Sequence, residues 1–177
     1  MRISIVPFDP AKHLEASALL LAERQVRDRG RDPRLPAAYE VPAACRPLIE
    51  QAVSAERTCA VAAVSGGDVV GFAAGTAFLA TPTHMTAAFF PPRCINIGYA
   101  AHAATGGAEY DVYRELYAAI ADHFVARGYF DHNVYLPAGD AAAADAWVSL
   151  GFGRTVTAGL RGVEFVPLIW FLGILLL

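Results

Sequence analysis

Three cysteines, Cys45, Cys59 and Cys94, are the residues whose chemistry is settled first. Thiols build disulfide frameworks in even numbers and zinc sites at CxxC-type spacing. An odd count with neither that spacing nor a neighbouring histidine pair predicts neither structure. Free thiols fit reducing surroundings, so a cytoplasmic location is expected. His13, His123 and His132 show no grouping of the kind that ligates a metal, and none is expected. Charge supplies the next exclusion. Lys+Arg number 14 against 17 Asp+Glu, a formal net charge of -3, with no lysine or arginine block to grip a phosphate backbone. Nucleic acid is therefore not an expected partner. The densest charge run, Arg27-Asp28-Arg29-Gly30-Arg31-Asp32-Pro33-Arg34, reads as a solvated loop.

The elements that must position any chemistry come from a chain of 177 residues, 55% hydrophobic and 18% charged. That is enough for one core and too apolar for a disordered chain. Met1 to Pro7 lacks the apolar stretch and cleavage site of a secretory signal, and no export is expected. Ile3 and Ile5 alternate as in a short strand. Asp9-Pro10 then reads as an N-cap followed by proline at the first helical position. Leu14, Ala18, Leu21, Ala22 and Gln25 follow at helical spacing, and Gly30 and Pro33 end that helix. A second short helix is predicted over Pro47 to Val53, and a buried strand over Thr58 to Val64. Ser65-Gly66-Gly67-Asp68 has the residues of a tight hairpin turn, so Val69 to Phe78 pairs back antiparallel. Thr81 to Arg93 reads as a loop and Cys94 to Ala104 as a strand.

Val112, Leu116, Ile120 and Phe124 recur every four residues after Gly106-Gly107, the strongest helical signal in the chain, closed by Arg127-Gly128. Tyr129 to Leu136 reads as a strand and Asp140 as the cap of a helix over Ala141 to Leu150. A last strand is predicted over Phe152 to Leu160. The predicted order is β-α-α-β-β-β-α-β-α-β, an α/β fold with a mixed sheet.

With Ala126-Arg127-Gly128-Tyr129 ending the long helix and Trp147-Val148-Ser149-Leu150-Gly151-Phe152-Gly153 after the next, this order resembles the GNAT acetyltransferase superfamily. The resemblance covers nearly everything before Gly162, and a GNAT-like domain over 1–162 is expected. It implies acetyl-CoA as co-substrate and a primary amine, on a small molecule or a peptide, as acceptor. In such folds the cofactor's pyrophosphate lies on backbone N–H groups at the start of the long helix. Counting back from Gly128 places that pattern near Ala108 to Tyr113, where glycines are absent and Glu109 and Asp111 stand instead. A shifted loop uses Gly106 and Gly107 for close backbone approach, with Thr105 as hydroxyl donor. The implied cofactor-binding residues are Ala103, Thr105, Gly106, Gly107 and Asp140.

The tyrosine that many members use as general acid aligns with Trp147, whose indole N–H is no acid near neutral pH. For the general base the resemblance implies His102, since an imidazole titrates near operating pH and the strand end faces the cleft. His84, Glu109 and Tyr99 are more remote candidates. These departures keep a second reading open: a catalytically inactive GNAT-like binding or assembly module, as in the degenerate half of a tandem protein.

Phe165 to Leu177 carries no charge. Its thirteen residues, even if wholly helical, extend about 20 Å against a hydrocarbon core of roughly 30 Å, so no membrane span is expected. The tail, 163–177, is expected as a final strand or as an interface segment that makes a homo-oligomer, unless it is foreign to the domain.

Overall fold

The structure, a computed structural model, describes residues 2–79 and 91–154. Most of the predicted loop over Thr81 to Arg93, His84, most of the last strand over Phe152 to Leu160, and the whole tail 163–177 lie outside the described residues.

The element order is β1 (Ser4–Pro7), α1 (Pro10–Arg31), a short 3₁₀ turn (Ala37–Glu40), α2 (Pro42–Ser54), β2 (Thr58–Ser65), β3 (Asp68–Leu79), β4 (Arg93–Ala104), α3 (Glu109–Val125), β5 (Asp131–Val134) and α4 (Ala141–Ser149). The five strands form one sheet in sequential order. The first three pairings are antiparallel and β4 pairs parallel with β5. The β2–β3 hairpin turns on Gly66 and Gly67, at φ +63° and +99°, the two consecutive left-handed residues that suit a two-residue turn.

Two apolar layers sandwich the sheet. On one face Val61, Ala73, Ile95 and Ile97 pack under Val112, Leu116, Ile120 and Phe124 of α3 and Trp147 of α4. On the other, Phe72 and Ala103 meet Leu14 and Leu21 of α1 and Cys45 and Ile49 of α2. The sheet's small residues set how closely α3 approaches: a Cβ on Gly71 would stand 2.3 Å from Cγ1 of Val112.

Two boundaries differ from expectation in ways that matter for the site. Helix α2 starts at Pro42, not Pro47; Pro42 takes the first-turn position that suits proline, and Pro47 is carried inside the helix at the loss of one backbone bond. Helix α1 runs through Gly30 to Arg31, so most of the charge run is helical, and its inner side is buried: Asp28 is 2% exposed, and Arg24, one turn earlier, is 1% exposed. A charge run is solvated only where nothing packs over it, and here the end of β4 does.

Strands β4 and β5 pair only over Cys94 to Ile97 opposite Asp131 to Val134, plus the Tyr135 N–H donated to the Ile97 carbonyl at 3.0 Å. Beyond that point they part. Along the β3–β4 pairing the partner of Gly75 is Ile97, whereas that of Ala73 is His102, so Gly98 to Ala101 bulge out of the ladder. The bulge and the parting of β4 from β5 place the candidate site at this end of the sheet.

Candidate functional site

The turn from β4 into α3 is short and open. Thr105 closes the strand: its N–H and its hydroxyl both donate to the Val70 carbonyl, at 2.9 and 3.1 Å. Its hydroxyl is therefore spent on β3 and is not the free donor expected. Gly106 and Gly107 follow, both exposed, with Gly107 at φ +81°. The residue before α3 is Ala108, which has no side chain to cap with, and the first helical bond runs from Val112 N–H to the Ala108 carbonyl at 3.0 Å. The N–H groups of Glu109, Tyr110 and Asp111 thus have no intrahelical acceptor and no capping oxygen. A helix start with bare amides carries partial positive charge and takes anions.

Two nearby acids oppose an anion there and one cation favours it. Asp111 lies 4.0 Å from Arg114 within the same helix, and Glu109 is half-buried in the first turn. Arg27, from the charge run of α1, lies along the turn: a Cβ on Gly106 would be 3.4 Å from its Nη1. Among the described residues Arg27 makes no ion pair. This cation comes from a helix that reading the loop alone does not bring into view.

At the bulge, the carbonyls that β5 no longer faces are taken by Arg24. Its guanidinium donates from Nη1 to the His102 carbonyl and from Nη2 to the Tyr99 carbonyl, each at 2.5 Å, and stacks 4.5 Å from the Tyr99 ring centroid. Its Nε lies 3.6 Å from Oδ2 of Asp28. A buried cation paired to a carboxylate and bonded to two carbonyls is held in one geometry, which fixes the bulge.

His102 is fully buried beneath this guanidinium. Its Nε2 sits 3.0 Å from the Tyr135 carbonyl, which can only accept, so the proton is on Nε2 and the Nδ1 lone pair accepts from the Tyr113 hydroxyl at 3.1 Å. Burial first and Arg24 second hold the ring far below its usual range, at about 3. It is neutral, enclosed and fully bonded at neutral pH. The expected base is thus enclosed with both ring nitrogens engaged: the strand end faces inward here, and the side chain ties β4 to the segment after β5. Burial likewise pushes the Tyr113 phenol up to about 12.

Trp147 is also fully buried, ringed by His102, Tyr113, Tyr117 and Phe152 with centroids 5.1 to 5.8 Å away. It is part of the core under α3. Asp140 is spent as well: Oδ1 accepts the Ala143 N–H at 3.2 Å as the cap of α4 and lies 3.6 Å from Arg31. Ala103 is wholly buried within the sheet. Of the expected cofactor residues, Gly106 and Gly107 alone present an open surface.

Helix α1 instead supplies a second group of polar side chains, which meets Tyr99 of β4. Tyr99 on the bulge donates its hydroxyl toward Oδ2 of Asp28 at 3.0 Å and lies 3.1 Å from Oε1 of Gln25. The signal for these residues was their spacing: Arg24, Asp28 and Arg31 fall on one side of an α-helix. A separate cleft of about 340 Å³ lies toward the start of β5, lined by Tyr117, His132, Asn133 and Phe152 among others. Its titratable pair is closed on itself, Tyr117 donating to Nδ1 of His132 at 2.8 Å and Nε2 donating to the Tyr129 carbonyl at 3.1 Å. Among the described residues no group of three His, Cys, Asp or Glu side chains is arranged to hold a metal. No described helix is long and apolar enough to cross a membrane.

No protein-family model matches the sequence, and no curated protein does. Solved structures do match the fold. The chain is similar to the aminoglycoside N-acetyltransferase AAC(6')-Iy in complex with CoA, at TM-score 0.58 and 14% identity over 93% of this chain and 96% of that one. It is similar to a predicted acetyltransferase with acetyl-CoA from Clostridium acetobutylicum, at 0.59 and 12% over 92% and 97%. It is similar, too, to a transcriptional regulator from Bacillus halodurans C-125, at 0.61 and 17% over 91% and 99%. The shared architecture is that of the GNAT acyl-CoA N-acyltransferases.

Proposed function

From that GNAT fold we propose that the chain is an acetyl-CoA-dependent N-acetyltransferase, passing an acetyl group to a primary amine of a small molecule or peptide. The observation that carries the reading is the uncapped start of α3 behind the exposed Gly106-Gly107 pair, with Arg27 beside it. The residues present fit the group. A diphosphate needs close backbone approach, free amides and a cation, and this turn offers all three. The first-turn amides of α3 and Arg27 would hold it, and acetyl-CoA would supply the activated acyl carbonyl.

The chain's own contribution is to position. Arg24 fixes the bulge of β4, and His102 ties β4 to the Tyr135 carbonyl across the gap where β4 and β5 part. A rigid pair of strand ends holds a reacting carbonyl in one orientation, the main source of rate in reactions that need little covalent chemistry from the protein. Calorimetric titration with acetyl-CoA tests the reading. Binding with release of free thiol in the presence of an amine supports it, and silence at millimolar ligand removes it.

The inactive-module reading is favoured by one observation: His102, the expected base, and Trp147, which stands where the family's acid tyrosine aligns, are both enclosed. It predicts acetyl-CoA binding without turnover, or no binding at all. Association through residues 163–177 is a further proposal, resting on their lack of charge. Deleting the residues after Gly162 would leave a smaller species by light scattering, and an unchanged mass would refute it.

A further inference from the structure

His102 and Trp147 are both enclosed, so among the described residues neither is open to exchange a proton with a substrate of the proposed transferase. We propose that Tyr99 exchanges that proton, and that Asp28 stands behind it as the proton store; this rests on the transferase reading above.

Tyr99 lies on the bulge, next to the point where β4 leaves β5, and is only half-buried. Its phenol points to α1, on the sheet face opposite Trp147. The hydroxyl has one proton and two acceptor oxygens within reach, Oδ2 of Asp28 at 3.0 Å and Oε1 of Gln25 at 3.1 Å. The phenol oxygen keeps a lone pair for an incoming N–H while its own proton faces a carboxylate. Arg24 clamps the ring from above and bonds the Tyr99 carbonyl, so the phenol cannot swing away.

Asp28 has the features of a proton acceptor and not of a surface salt bridge. Its side chain is wholly enclosed, and Oδ1 has no hydrogen-bond partner. The groups that face it are Arg24 and Arg31 on its own helix, Tyr99 on β4 and Asp140 at the start of α4. Burial is the largest influence and raises its carboxyl above the ordinary carboxylate range, with Arg24 as the chief opposing influence. That direction makes it a stronger base than an exposed aspartate.

The proton balance closes. The neutral amine attacks the thioester carbonyl and forms the C–N bond. The proton leaving nitrogen passes to the Tyr99 oxygen as the phenol's own proton moves to Oδ2 of Asp28. When the C–S bond breaks, the thiolate takes a proton back along the same path and leaves as the thiol. No oxidant, reductant or further co-reactant enters.

Tyr99→Phe removes the hydroxyl alone, and Asp28→Asn keeps the shape of the acceptor. The test is thiol release from acetyl-CoA with n-butylamine as probe nucleophile, run from pH 5 to 9 with rates referred to the neutral amine present at each pH, beside calorimetric acetyl-CoA affinity and thermal melting. Loss of a proton-transfer group is worth about 100-fold or more in rate. We expect such a fall in kcat for Tyr99→Phe, an unchanged acetyl-CoA affinity and a lost acidic limb in the pH profile. Asp28→Asn should match it if it folds. A Tyr99→Phe protein within threefold of wild type and with the same acidic limb overturns the proposal. So does a wild type that binds acetyl-CoA but releases no thiol with this amine. A wild type that binds no acetyl-CoA overturns the transferase reading along with it.

Discussion

Replacing Arg27 by alanine should weaken acetyl-CoA binding without touching the fold. Arg27 is half-buried at the edge of the α3 turn, where a Cβ on Gly106 would lie 3.4 Å from Nη1. An anionic oxygen resting on that turn would sit about 5 Å from the guanidinium, and at that distance Coulomb's law gives about 0.8 kcal/mol per unit charge in water and about 3 kcal/mol at an effective dielectric of 20. For a partly exposed site the lower half of that range applies, about 1 to 2 kcal/mol, or roughly 5- to 30-fold in Kd. Arg27→Glu should roughly double the free-energy loss, because it replaces attraction by repulsion beside Glu109 and Asp111. The assay is calorimetry with acetyl-CoA at low salt and again near 1 M, where a screening length of about 3 Å should erase most of the difference. Wild-type affinity, within twofold, in a folded Arg27→Ala protein at low salt would refute the placement of the diphosphate on this turn.

Three further outcomes follow from the packing and the buried imidazole. Gly71→Ala drives a methyl to 2.3 Å from Val112 and 3.1 Å from the Ala103 carbonyl, so it should cost about 3 kcal/mol in denaturant titrations. Gly98→Ala, whose added methyl meets nothing closer than Ala101 at 3.8 Å, is the control and should melt near wild type. His102 is neutral when folded and protonates freely when unfolded, so the unfolded state binds more protons in acid. Its contribution to stability is full above pH 6.5 and is lost toward pH 3, amounting to about 2 kcal/mol between pH 7 and 5 in urea titrations. Asp28 acts in the opposite sense above its ordinary value of 3.8, because its folded carboxyl holds its proton longer. The same change from pH 7 to 5 in wild type and in a folded His102→Gln protein would contradict the burial assigned to His102.

The fold was legible because its signals are local. The Gly66-Gly67 turn, the four-residue spacing of Val112 to Phe124 and the Asp140 cap each describe themselves within a few residues, and each stands where expected. The site was legible only in part. Gly106 and Gly107 were readable as a turn before a helix, but whether that helix is capped depends on Ala108, Thr105 and the Val70 carbonyl, residues joined by the fold and not by spacing. His102 looked like a base because an imidazole at a strand end titrates near neutrality. Its burial depends on Arg24, 78 positions away, and on Tyr135. The charge run failed in the same way, since composition cannot say which side of a helix another element covers. Arg24, Arg27 and Asp28 come beside the bulge and the α3 turn only once β4 packs against α1.

The placement of the diphosphate can be read directly by comparing acetyl-CoA with S-acetyl pantetheine, which keeps the thioester and lacks the diphosphate and nucleotide. Calorimetry on the wild-type chain should show acetyl-CoA binding at least tenfold more tightly at low salt, with most of that advantage lost in Arg27→Ala. Equal affinities for the two thioesters, or no heat from either at millimolar concentration, would contradict an anion site at the start of α3.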